Sequence, residues 1–266
     1  MSTASGDFTV VIPCWGPQYT GVLPEAVASI RAQAPRAPIV VVDNCSDQPL
    51  PELAEVQFVR LDRRETVGAA RNAGLAHVRT PFVVVADADD LILDGALEPL
   101  AEILRAEPRT VAAVGEVIED GSRPHPLPRA AARLAAPIPP LLAFAHAAWA
   151  QFPIQGCAML RTAAARDLGG YGDTNGGDDW ELGVVLATSG RIRFLSRPVR
   201  DYRNPASGLG VEPDRVEVHR RAQNVRNRLR QRGWGKLRLA AVRLAQAVAI
   251  DLVRPLVLRA RSRAGG

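Results

Sequence analysis

The chain has 266 residues, of which 47% are hydrophobic, and a formal net charge of +5. That length allows one large domain, or one domain with a small appendage, and that apolar content excludes a wholly disordered chain. The charge is uneven: 14 of the 33 basic residues but only two of the 28 acidic ones lie from Arg215 onward, so an acidic body precedes a basic tail.

Three widely spaced cysteines (Cys14, Cys45 and Cys157) suggest neither a disulfide framework nor a zinc site, and the four histidines show no metal-ligand spacing. The short polar start lacks the apolar run of a signal peptide, so a reducing cytoplasm is the expected setting.

Strand and helix signals alternate through the first half. Thr9–Pro13 reads as a buried strand. Leu23–Gln33 reads as a helix, with Pro24 in its first turn and Val27 and Ile30 on one face. Pro38–Asp43 and Gln57–Leu61 are further strands. Val67–Val78, rich in Gly and Ala, fits a closely packed helix. Pro81–Ala86 is a fourth strand, ending at the acidic run Asp87-Ala88-Asp89-Asp90. Asp94 is the expected cap of a helix through Leu97, Leu100 and Leu104. Continuous apolar strands separated by helices indicate a mostly parallel sheet covered on both faces, whose ligands bind beyond the carboxyl ends of the strands. Asp43 and Asp87 both stand at such ends.

Seven prolines interrupt residues 119–153. This stretch reads either as a surface loop with a short helix or as a lid on the acceptor side. Trp149 and Phe152 are either lining residues or core anchors. From Arg215 the chain reads as helical, with Val218, Ala222, Val225 and Leu229 in one stripe. Arg243, Asp251 and Arg254 disfavour a membrane span in the apolar stretch that follows, at roughly 2.5–3.5 kcal/mol for each charge near the bilayer centre. A basic amphipathic helix on an anionic membrane surface and a helix packed on the body remain the two readings of this tail. No nucleic-acid module accompanies its charge, so nucleic acid is not an expected partner.

At a strand end, residues two apart point to one side, so Asp87 and Asp89 offer paired carboxylates suited to Mg²⁺ or Mn²⁺ with room for phosphate oxygens. A helix cap or a solvated turn explains the same four residues equally simply.

Six segments in order resemble the inverting family 2 glycosyltransferases of the GT-A fold. They are Val10-Val-Ile-Pro13, Val41-Val-Asp43-Asn-Cys-Ser-Asp47, Gly68-Ala-Ala-Arg71-Asn-Ala-Gly74, Asp87-Ala-Asp89-Asp90, Gly169-Gly-Tyr-Gly172 with Gly177-Asp-Asp-Trp-Glu-Leu182, and Tyr202-Arg203. The resemblance implies an α/β, Rossmann-like nucleotide-diphospho-sugar transferase fold: a mixed, mostly parallel sheet with helices on both faces, over residues 1–212. Residues 213–266 then form a basic helical C-terminal extension.

It also implies roles. Asp43 would contact the donor nucleobase and Arg71 the base or the diphosphate. Asp89 would be the principal ligand of Mn²⁺ or Mg²⁺, with Asp87 on the ribose or the metal's water shell. Pro13 would shape the loop under the nucleotide. Ala88 lies on the same donor side, as does Gly68, which with Asn72 would let helix and sheet approach closely. Asp179 matches the catalytic base, Asp178 would raise its pKa, and Trp180 and Trp149 would flank the acceptor. The pair at 178–179 reads equally as the N-cap of a helix starting near Trp180.

The sequence departs from the family at Asn44, where a second Asp is usual, at Asp178, where Glu is usual, and at Asn204, where a His often lies nearby. No Q-x-x-R-W run is present, so the expected reaction is transfer of a single sugar from a nucleoside-diphosphate sugar to a hydroxyl of a glycan, lipid-linked glycan or small molecule, in the cytoplasm or at the inner face of the membrane. A sugar-1-phosphate nucleotidyltransferase is the alternative enzyme, but Cys14-Trp-Gly-Pro-Gln-Tyr-Thr-Gly21 fits its phosphate loop poorly. A non-catalytic nucleotide- or glycan-binding relative is the third reading.

Overall fold

The structure, a computed structural model, describes residues 6–119, 127–150, 152, 154–203 and 213–256. Strand β1 (Phe8–Cys14) leads through α1 (Pro17–Thr20) and α2 (Leu23–Gln33) to β2 (Ile39–Asp43), β3 (Val56–Arg60), α3 (Val67–His77) and β4 (Phe82–Val85). Next come β5 (Leu91–Ile92), α4 (Leu97–Ala106), β6 (Thr110–Glu119), α5 (Leu127–Ala135), α6 (Pro139–Ala148), β7 (Ala158–Arg161) and α7 (Thr162–Asp167). The chain closes with α8 (Asp178–Ser189), β8 (Arg191–Tyr202), α9 (Arg215–Gln231) and α10 (Lys236–Val248), which continues through a π turn at Ala249–Val253.

The strands form one sheet in the order β3-β2-β1-β4-β7-β6-β8-β5. Only β7 and β5 run against the other six. Every residue of β1, β2 and β4 is buried, so both faces of the sheet centre are covered, as their unbroken apolar runs require. The chain moves from β1 to β2 and β3 on one side and returns to β4 on the other. The gap beyond the carboxyl ends of β1 and β4 is therefore the switch point at which such sheets take ligands. Cys14, Asp43 and Asp87 all stand on that edge.

Pro13 lies inside β1, not in the loop after it. Val10 N–H bonds towards β2 and the Val11 carbonyl towards β4, so residue 13 presents its backbone to the β4 side. Pairing with β4 ends at Val11–Val85, and the missing Pro13 N–H costs no ladder bond.

Helix α3 packs on β1 and β2. Thr66 caps it, accepting from Ala69 N–H at 3.1 Å. Its contact with the sheet runs through Gly74: a Cβ there would sit 2.2 Å from Val11 Cγ1 and 2.9 Å from Val42 Cγ2. Gly68, expected to serve the same packing, instead meets the loop before α8, where a Cβ would lie 1.7 Å from the Gly172 carbonyl oxygen.

Asp94 does not cap α4. The helix starts two residues later, its N-cap position is Ala96 with no side-chain cap, and Gln33 Oε1 accepts from the Ala96 and Leu97 N–H groups from outside. The described part of residues 119–153 holds two helices rather than a loop with one short helix. Pro128 falls in the first turn of α5, while Pro139 and Pro140 open α6, positions where proline costs no helical hydrogen bond.

The tail is packed on the body. Ala222, Val225 and Leu229 of the α9 stripe are fully buried, and α9 lies against α8 and α6. Helix α10 lies on α6 and α9, pinned by buried Gln246, whose amide donates to the Ala147 carbonyl at 2.8 Å and the Ala222 carbonyl at 3.2 Å.

Overpacking at the α3–sheet contact gives a stability test. Gly74→Ala is expected to destabilise the chain by about 1–3 kcal/mol in denaturant unfolding. Gly21→Ala, where the nearest outside atom is 3.7 Å from the added carbon, should change stability by less than about 0.5 kcal/mol.

Candidate active site

The β1/β2 edge carries Asp43. Its Oδ1 accepts from Ser46 N–H at 2.8 Å, and its Oδ2 is paired with Arg60. Asp43 therefore both closes the turn after β2 and holds a neighbouring guanidinium. Cys14 ends β1 beside it; burial, then Asp43, then Asp89, push the thiol up to about 12. That shared influence brings the ends of β1, β2 and β4 to one place. The next residue, Trp15, is covered by the Arg64 guanidinium at 4.3 Å. Neither Trp15 nor Arg64 stood out in the sequence.

Arg71 occupies the centre of the site. It projects from α3 and is 6% exposed. One nitrogen donates to Asp87 Oδ1 at 2.5 Å and another to Asp178 Oδ2 at 2.6 Å. The acidic run after β4 and the start of α8 are thus joined through one buried cation. Burial disfavours the charge, but Asp87 and Asp178 outweigh it and raise the Arg71 pKa well above its ordinary value. Burial also works to raise Asp87; Arg71 and Arg200 overcome it and hold the carboxyl below its usual range. Asn72, next to Arg71, exchanges two hydrogen bonds with the Tyr171 backbone, at 2.8 and 2.9 Å, and fixes α3 to the loop before α8. This contact and the close approach of Gly68 to Gly172 hold the same two segments together.

The remaining members of the acidic run separate. Ala88 is buried. Asp90, read as a possible turn cap, faces inward and sits 2.7 Å from Arg200 Nε. Arg200, which sequence reasoning missed, also lies 3.8 Å from Asp87 and donates to the Gln155 carbonyl at 2.7 Å. Asp89 is half-buried and makes no hydrogen bond or ion pair to another residue among those described. Burial, then the charge of Asp87, push its carboxyl up to about 6. A desolvated carboxylate beside a second one is a fitting ligand for a hard divalent cation. Among the described residues no group of three His, Cys, Asp or Glu gathers to hold a metal alone. The donor set therefore fits an ion that takes its other ligands from a bound phosphate or water.

Helix α8 starts at Asp178, so the acidic pair forms its first turn rather than its cap. The N-cap position is Gly177, whose φ of 78° is left-handed and suits glycine. One residue turns a helix by about 100°, so the two side chains diverge. Asp178 points inward to Arg71, and burial pushes its carboxyl up against that pull. Asp179 points outward into a cavity of about 230 Å³ that it shares with Trp149 and Trp180. Burial and then Asp178 push Asp179 up to about 6. The Gln155 amide, oriented to satisfy both ends, donates to Asp179 Oδ2 at 2.8 Å and accepts from Arg71 at 3.1 Å. Trp180 serves two purposes: its indole N–H donates to the His146 carbonyl at 2.5 Å, and its ring forms part of the cavity wall. Trp149 lines the cavity, whereas Phe152 is a core residue stacked on His146 at 4.0 Å.

Comparison with known proteins bears on the family and the fold. The sequence profile of Glycosyl transferase family 2 matches residues 9–169, more than half of the chain. The succinoglycan biosynthesis protein ExoO of Rhizobium meliloti (strain 1021) is 33% identical over 103 residues, which span 36% of this chain and 29% of that protein. Among solved structures, S. aureus TarS 1–349 in complex with UDP-GlcNAc has a TM-score of 0.67 at 15% identity, covering 91% of this chain and 71% of that one. The same fragment in complex with UDP gives 0.66 at 14% identity, covering 94% and 73%. At these identities the likeness speaks for the fold.

Removing the central cation separates its effects. Arg71→Met is expected to cost about 3–5 kcal/mol near pH 8, because buried Asp178 loses its cation while Asp87 keeps only Arg200. The Asp178 carboxyl would then titrate above its unfolded value, so the variant should lose stability as pH rises from about 4 towards neutrality. Denaturant unfolding at pH 5 and pH 8 checks this; an equal loss at both would show that the ion pairs do not matter.

Proposed function

We propose a reaction for this chain, which belongs to glycosyl transferase family 2 and is a glycosyltransferase: transfer of a single sugar from a nucleoside-diphosphate sugar to a hydroxyl acceptor, with inversion at the anomeric carbon. The observation that carries the reading is Asp179, a carboxylate with its pKa raised to about 6 that opens on a cavity walled by Trp149 and Trp180. UDP-GlcNAc and UDP in the TarS structures support a nucleotide-sugar donor.

In this reading Asp179 accepts the proton of the acceptor hydroxyl as that oxygen attacks the anomeric carbon, while the bond from that carbon to the donor diphosphate breaks on the opposite face. A carboxylate with a pKa near 6 is ionised at neutral pH yet still basic enough to take a proton. Gln155 orients it, and Asp178, held by Arg71, supplies the like charge that keeps its pKa high. Asp43, at the β1/β2 edge, faces the nucleobase, and Asp87, already bonded to Arg71, faces the ribose. Asp89, with Asp87, would hold Mn²⁺ or Mg²⁺, which when bound neutralises charge on the departing diphosphate. A nucleotidyltransferase needs no base on an acceptor-side cavity, so the placement of Asp179 speaks against that alternative.

The tail supports a partner as well. Leu237, Leu244, Val248, Leu252 and Leu256 are exposed along one flank of α10 and its continuation, with Leu237 86% and Leu244 69% accessible. Lys236, Arg238 and Arg243 accompany them. No helix among the described residues is long and apolar enough to cross a membrane. An apolar stripe bordered by cations suits attachment to an anionic membrane surface.

Asp179→Asn should retain nucleotide-sugar binding but lower transfer by roughly 100-fold or more, and wild-type transfer at saturating Mn²⁺ should rise with pH through about 6. Full activity of the variant would refute the base assignment, and Asp89→Asn that still turned over with unchanged metal dependence would refute the metal assignment. Co-sedimentation with phosphatidylglycerol vesicles should fall several-fold for Leu244→Asp/Leu252→Asp, which leaves α9 in place; unchanged sedimentation would exclude this surface.

A further inference from the structure

The cavity in front of Asp179 is completed by the C-terminal helices. One side comes from α6 and α8, through Trp149, Asp179 and Trp180. The facing side comes from Val218 and Arg221 of α9, and from Ile250 and Arg254 beyond α10. A segment that reads from sequence as an appendage thus supplies half of the acceptor-side wall.

Arg221 is fixed in place. Its Nε donates to Glu217 Oε1 at 2.8 Å, and its stem lies across Gly177, where an added Cβ would be 3.0 Å from both Cγ and Cδ. Gly177 is the residue from which α8, and so Asp179, departs. Arg221 is ion-paired with Glu217 through Nε, which leaves its two Nη nitrogens without a hydrogen bond among the described residues, and the cation that pulls on Asp179 is Arg71. Arg254 reaches the same cavity with one nitrogen on the Pro213 carbonyl at 2.5 Å. Two guanidinium groups therefore line the cavity of Asp179 together with Trp149, Val218 and Ile250. Past Ile250 the same helix exposes Leu252, Val253 and Leu256.

Building on the reading of Asp179 as the base, we propose that the acceptor carries an anionic group of the phosphate class joined to an apolar segment. Arg221, assisted by Arg254, recognises the anion, and Trp149, Val218 and Ile250 take the apolar part. A guanidinium presents paired donors to phosphate oxygens, which a neutral sugar cannot match. The apolar wall and the exposed leucines beyond it suit a chain running out towards a surface. A lipid-linked phosphate and a small phosphorylated acceptor share this chemistry.

The test is calorimetric titration of the full chain, without donor, with octyl phosphate below its micelle concentration, with octyl β-glucoside and with glycerol 3-phosphate. Octyl phosphate should bind at least about tenfold tighter than octyl β-glucoside, and Arg221→Gln should weaken it about tenfold or more, as expected for charge-assisted hydrogen bonds. Arg221→Lys, which keeps the charge but not the fork, should give a smaller loss and guards against a folding defect in the first variant. Arg230→Gln, the same charge removal elsewhere on α9, should change nothing. Glycerol 3-phosphate much weaker than octyl phosphate assigns a lipid-linked acceptor; similar affinity assigns a small phosphorylated one. Equal binding of octyl β-glucoside and octyl phosphate, or unchanged binding in both Arg221 variants, overturns the proposal. Because no turnover is measured, failure of the proposed reaction would appear separately, in the Asp179→Asn assay.

Discussion

The contact on which the arrangement depends is the guanidinium of Arg71 between Asp87 and Asp178. Arg71 and Asp178 leave water together with Asp87 at the half-buried edge, and Asp178 is tolerable as a buried charge only while Arg71 is present. The cost is met by position: α3 is held to the sheet at Gly74, to the pre-α8 loop at Gly68, and to the Tyr171 backbone at Asn72. These contacts leave Arg71 one place to point. Asp87 after β4 and Asp178 at the start of α8, 91 residues apart in sequence, are thereby fixed relative to each other.

Adjacent carboxylates then acquire different chemistry from direction alone. Asp178 and Asp179 share the first turn of α8, where negative charge is favoured by the helix dipole. Asp178 turns inward and is neutralised by Arg71; Asp179 turns outward and keeps a raised pKa facing a cavity. The same division separates Asp87, held by two arginines, from Asp89, held by none. In each half of the site one acid is tied into the structure by arginine and the other keeps a raised pKa.

Much of this was legible in the sequence because it is local. The buried strands are unbroken β-branched runs, and Asp43 and the run from Asp87 stand where those runs stop. What was not legible depends on long-range register. Arg197, Arg200 and Arg203 look alike in sequence, yet only Arg200 is turned into the site, where it meets Asp90, 110 residues earlier. The pairing of β6 with β8, with its bulges, makes that selection. Asp94 was a reasonable cap by composition but lost to Gln33, a distant side chain that satisfies the same N–H groups. The prolines of 119–153 signalled interruption, whereas three of them open helices, a distinction that rests on where each helix begins. Trp149 and Phe152, left open between lining and core, part company: Trp149 lines the cavity and Phe152 stacks on His146.

The tail shows why a helix can be assigned from periodicity while its role is not. Val242, Gln246 and Ile250 face inward at four-residue spacing, and Leu237, Leu244, Val248 and Leu252 face outward. Taken alone, such a segment is amphipathic in either sense, and its arginines suggest solvent or a lipid surface. Packing gives the inward face a definite job: Gln246 spends its amide on carbonyls of α6 and α9, which makes the docking polar as well as apolar and so sets the register of the helix. With that register set, Ile250 and Arg254 reach the cavity of Asp179. A single helix therefore joins the wall of the candidate acceptor site to the exposed apolar stripe, and a shift of α10 on α6 would alter both at once.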